Sequence, residues 1–116
     1  MDVQYSPEAR QSPEAKLLEQ ASALLADILG AKSSQIENAE WTRVSDPNGR
    51  TLYRLSIRDF AGEATTDFTP DELQNPQQMK FCLYRLWGDL LQVRHNIQHQ
   101  QVQNLLQNLG SGITTG

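Results

Sequence analysis

The chain has a single cysteine, Cys82, so it cannot close a disulfide within itself. It also lacks any apolar run of the ~18 residues that a membrane-crossing helix needs. The opening Met1-Asp2-Val3-Gln4-Tyr5 has neither the basic nor the apolar stretch of a secretory signal. A cytoplasmic, non-membrane protein is therefore expected. Its glycines are nowhere clustered as a phosphate-cradling loop. Basic residues are outnumbered, 10 against 14 acidic ones for a net charge of -4, which argues against a broad field for wrapping nucleic acid. Cys82 sits among Phe81, Leu83 and Tyr84 and reads as a small core hydrophobe.

Charge is also missing locally. In the 27 residues after Asp89, Arg94 is the one formal charge, while six glutamines fill much of the segment. Ile97, Val102, Leu105, Leu106 and Leu109 interrupt those amides at helical intervals, so the segment reads as a helix with one adhesive face.

What is present fits one α+β domain over residues 13–109, since 116 residues leave no room for two full-sized domains. A flexible segment is expected over 1–12 and a flexible tail over 110–116. Ser6-Pro7-Glu8-Ala9 and Ser12-Pro13-Glu14-Ala15 both have the grammar of a helix start, a capping serine followed by proline and an acid. The second copy leads into Leu17, Leu18, Ala21, Leu24, Leu25, Ile28 and Leu29, which share one helical face and predict a helix from about 13 to 29, ended by Gly30. Asp46-Pro47-Asn48-Gly49 joins two β-rich stretches, and Tyr53, Leu55 and Ile57 alternate with Arg54, Ser56 and Arg58 in the second. A third strand over Glu63 to Phe68 completes an antiparallel three-stranded meander. Thr69-Pro70-Asp71-Glu72 is a capping box, and Pro76 opens a long helix expected to run to Leu109. Gly88 within it is expected to mark a close contact or a bend.

A helix of that length, about 50 Å at ~1.5 Å per residue, exceeds a compact chain of this size, whose radius of gyration is ~13 Å. Its overrun would leave an apolar stripe in water. The expected cover is a second copy, because identical neutral faces do not repel and most oligomers are symmetric. Leu86, Trp87, Leu90, Ile97, Val102, Leu105 and Leu109 are the residues expected to carry the association. The alternative is a turn near Arg94 to Asn96 that folds the last segment back onto the first helix.

No catalytic constellation, cofactor motif or metal set emerges. His95 and His99 stand four apart on the predicted helix, but no carboxylate lies within a turn of them. They read as solvated or interface histidines, able to lend a dimer some pH sensitivity. The face of the meander carrying Arg54 and Arg58 would also present Trp41 and Arg43 if Val44 pairs with Thr51. Arginines interleaved with an aromatic on a sheet can bind a nucleic-acid strand or an acidic peptide. Helix, three strands, helix in an acidic chain resembles the layout of small dimeric nucleoid-associated proteins of the YbaB type. That resemblance is one of element order, with no residue signature, and it implies a nucleic-acid-binding dimer. The leading expectation is a non-enzymatic interaction module, an adaptor, assembly factor or regulatory subunit that forms a homodimer and serves another protein.

Overall fold

A computed structural model describes the backbone over residues 1–114 and the side chains over residues 1–107. The elements run β1 (Asp2–Tyr5), α1 (Pro7–Arg10), α2 (Ala15–Leu29), a 3₁₀ turn (Gly30–Gln35), β2 (Asn38–Ser45), β3 (Thr51–Arg58), β4 (Glu63–Phe68), α3 (Pro70–Leu73) and α4 (Pro76–Thr114). The fold is α+β, as expected, but the sheet has four strands in the order β1-β2-β3-β4 and is mixed. β2, β3 and β4 form the antiparallel meander, and β1 adds in parallel to β2. The segment read as a flexible lead-in thus supplies an edge strand and a short helix. Val3 and Tyr5 pack against the core, and Ala9 is fully buried.

The two serine-proline starts swap roles. Ser6 caps α1, its Oγ accepting from the Ala9 amide at 3.2 Å. Ser12 instead donates to the Ala9 carbonyl at 2.7 Å, and α2 begins behind Glu14 with no side-chain cap. Leu18, Ala21, Leu25 and Leu29 belong to the buried row of α2, which ends before Gly30; at φ +55° and ψ -128° that glycine opens the 3₁₀ turn rather than adopting the left-handed helical cap expected. The capping box also stands: Thr69 Oγ1 accepts from the Glu72 amide, and Glu72 Oε1 accepts from the Thr69 amide.

The core lies between one face of the sheet and the helices. Trp41, Tyr53, Leu55, Ile57 and Phe68 from the strands meet Leu18 and Leu25 of α2 and Leu83, Leu86 and Leu90 of α4. No helix among the described residues is long and apolar enough to cross a membrane. α4 is one unbroken helix of 39 residues, with no turn near Arg94. It passes the expected end at Leu109 and continues through part of the expected tail; residues 115 and 116 lie outside the described residues. The molecule measures 67 × 35 × 24 Å with a radius of gyration of 18.4 Å.

Candidate functional site

The first half of α4 packs on the body through Met79, Leu83, Leu86, Trp87 and Leu90, a row stepping by three and four residues. Leu86, Trp87 and Leu90, expected to carry self-association, are therefore core residues: that side of α4 is turned onto the sheet and α2. Ile97 is half-buried where the helix leaves the body, and every residue from Gln98 to Gln107 is exposed. Val102 and Leu105, at 54% and 60% exposure, stand free as expected, whereas the Leu109 side chain lies outside the described residues.

A second row lies about a third of a turn round from the first at ~3.6 residues per turn. Phe81, Tyr84, Gly88, Leu91, His95, Gln98, Val102 and Leu105 are all exposed and step strictly by three and four. Leu109 extends the spacing in sequence. This is the heptad spacing of a helix seam that meets another helix. Phe81 is 68% exposed and Tyr84 51%, so the seam begins beside the body and continues onto the free rod. Phe81, Tyr84 and Leu91 were not among the residues expected to carry association, because Met79 to Val93 is apolar around most of its circumference and does not show which side is covered. The three-and-four steps from Phe81 were the available signal. Gly88 makes no close contact within the chain, since a Cβ there would meet nothing within 4 Å, and the helix continues through it without a break.

One clamp holds α4 where it departs. Asp59, whose side chain is fully buried in the β3–β4 turn, accepts from Arg94 Nη2 at 2.7 Å and Nε at 3.1 Å. Its other oxygen accepts from the amides of Ala61 at 2.7 Å and Gly62 at 3.1 Å. Arg94 also donates to Gln35 Oε1 at 3.1 Å and lies 5.2 Å from the Phe60 ring centre and 5.8 Å from that of Trp87. Burial alone would push the Asp59 carboxyl up, but the Arg94 guanidinium and the two amides outweigh it and hold the group below its ordinary value.

The outer sheet face differs from the expectation. Ser45 pairs with Thr51, so Trp41 stands opposite Leu55 and Arg43 opposite Tyr53. Both therefore belong to the helix-covered face. Trp41 is fully buried, and its indole N–H donates to Ser22 Oγ at 2.8 Å, while Arg43 is exposed at the end of that face. The register follows from a five-residue loop, Asp46 to Arg50, tied by the Asp46 carboxylate, which accepts from the Asn48 and Arg50 amides and from Arg50 Nε. Arg54 and Arg58 do face outward, each engaged by a carboxylate across the strand pair. Arg54 donates to Asp67 at 2.8 and 3.2 Å, and Arg58 to Glu63 at 2.9 Å. With Asp2 and Glu40 on the same face, four acids surround two arginines.

His95 and His99 stack with ring centres 6.3 Å apart, and His99 Nε2 lies 3.1 Å from Gln103 Nε2. Among the described residues no group of three or more His, Cys, Asp or Glu side chains gathers as a metal set. Cys82 is half-buried against Thr65, Thr66, Arg85 and Asp89, and burial raises its thiol above the usual range. Comparison with protein-family models, curated proteins and solved structures finds no match.

Proposed function

We propose that this chain is a non-enzymatic protein–protein interaction module, an adaptor, assembly factor or regulatory subunit, that self-associates as a homodimer through α4. The observation that carries the reading is the exposed heptad seam on a helix that has left its own body. Most helical stability in proteins comes from packing an apolar face rather than from intrinsic propensity. The rod beyond Ile97 packs against nothing in its own chain over the described side chains, yet it carries Val102, Leu105 and Leu106, each more than half exposed. Covering that face supplies what the chain itself does not. A second copy fits it, because the residues between Arg94 and Gln107 carry no formal charge and two such faces meet without repulsion.

Sedimentation equilibrium of the intact chain at micromolar concentration tests this reading. A dimer is expected, and Val102→Glu with Leu105→Glu is expected to give a monomer with unchanged helical content short of the rod. A wild-type chain that sediments as a clean monomer overturns the reading. Because both outward arginines are already paired with acids, no salt-sensitive retention of DNA or RNA is expected in filter binding at ~50 mM salt.

A further inference from the structure

The two rods of such a dimer can run the same way or opposite ways, and side chains already described distinguish the two. Resting on the self-association reading, we infer that the copies pair antiparallel, with the two-fold axis between Asn96 and Ile97. The free half of each rod then lies along the body-bearing half of the other.

Gly88 carries the first argument. A glycine inside a helix costs about 1 kcal/mol relative to alanine. Nothing in the chain explains its presence: it is exposed, and a Cβ would meet no atom within 4 Å. It is nonetheless a member of the seam, where it leaves a hole. In the antiparallel alignment Gly88 faces Leu105 of the second copy, Leu91 faces Val102, and His95 faces Gln98. The leucine fills the glycine's hole, two branched apolar side chains meet next to it, and the central polar residues have a hydrogen-bonding partner. In a parallel, in-register pair Gly88 faces Gly88, and the hole stays empty between two copies of itself.

Charge supplies the second argument. Lys80 and Arg85 flank the seam on the body-bearing half, and no formal charge follows Arg94 in the sequence. Flanking positions five residues apart approach across a parallel pair, which would set Lys80 of each copy against Arg85 of the other. The antiparallel pair removes that opposition, because Arg85 meets Leu106 and its neutral surroundings. The charge-free half of the rod thus sets no like charge against Lys80 and Arg85.

Cysteine crosslinking in the full chain tests the direction. In a Cys82→Ser background, Leu91→Cys and Val102→Cys are prepared separately and oxidised alone and as an equimolar mixture. The expected result is a disulfide-linked dimer in the mixture only, since like positions lie about 16 Å apart along the axis at ~1.5 Å per residue, too far for a disulfide. Crosslinking of either variant alone overturns the antiparallel direction while leaving self-association standing. A dimer in sedimentation with no crosslink in any sample overturns the seam as the interface. A monomer in sedimentation overturns the self-association reading itself. Gly88→Leu provides an independent arm that leaves the body's core untouched: antiparallel pairing predicts dimerisation at least tenfold weaker. Tighter dimerisation of Gly88→Leu would mean that two leucines fill the layer of a parallel pair, and would overturn the proposal.

Discussion

Trp41 shows how a single residue's environment can turn on a loop several positions away. The types Trp, Arg, Leu and Arg on two strands were legible, but their faces depended on pairing, and a one-residue slip exchanges the faces of a strand. Asp46 decides the pairing by tying a five-residue loop, and the indole then needs a buried acceptor. Ser22 supplies it, and its own hydroxyl donates a hydrogen bond to the Leu18 carbonyl at 2.9 Å. No period in the sequence marks Ser22 for that role. Ser22→Ala strands the indole N–H, and the expected loss is about 1–3 kcal/mol of unfolding free energy in a urea titration. In a Trp41→Phe background, where the indole donor is gone and only the half-buried Tyr5 hydroxyl still lies 3.2 Å from Ser22 Oγ, the same change should cost less. Equal costs in both backgrounds would show that the hydrogen bond contributes little. Asp59 makes a second residue-scale prediction. Its carboxyl is held below the ordinary value in the folded chain, so its contribution is fully present above the unfolded value near ~3.9 and is lost as pH falls through the folded one. Asp59→Asn should flatten the fall in stability below about pH 4 as well as lowering stability at pH 7. An acid limb of unchanged slope would assign it to other carboxylates.

At the scale of elements, α2, the meander, the capping box and the length of α4 follow from spacing and cap chemistry that the sequence carries openly. β1 does not, because four residues give too few alternations to distinguish a strand from a loop, and its pairing with β2 depends on contacts remote in sequence. The candidate site was legible in part: Val102 and Leu105 were recognised because the surrounding amides set them off, while Phe81, Tyr84 and Leu91 were hidden among equally apolar neighbours. Two interleaved rows on one helix can be separated only when something shows which row the sheet covers. They should separate by experiment as well. Leu90→Ala opens a cavity in the core and should cost about 2–5 kcal/mol in chemical unfolding. Leu105→Ala should leave monomer unfolding within about 0.5 kcal/mol of wild type and weaken self-association instead. If both variants lose stability alike at concentrations where the chain is monomeric, the rod is part of the folding unit.

The whole molecule is a body with a projecting rod, and its radius of gyration of 18.4 Å exceeds the ~13 Å of a compact chain of this length. The two parts have different sources of stability. The body's buried row on α4 ends at Leu90, and the last polar anchor is Arg94 on Asp59, so the contacts of the core are complete before Gln98. The rod adds helix without adding core. A chain ending at Gln98 should therefore keep the buried environment of Trp41 and Trp87, read by tryptophan fluorescence, and unfold at the same urea midpoint as the intact chain when both are dilute. Raising the concentration should separate them. If the rods pair as proposed, the intact chain is expected to gain stability by mass action, and the shortened chain, lacking Val102 and Leu105, to gain none. A shortened chain that unfolds at any concentration would show that the rod supports the body, and one that tracks the intact chain upward would place the association on another surface. With the rod as an association element alone, the two midpoints coincide at high dilution and diverge steadily above the dimer dissociation constant.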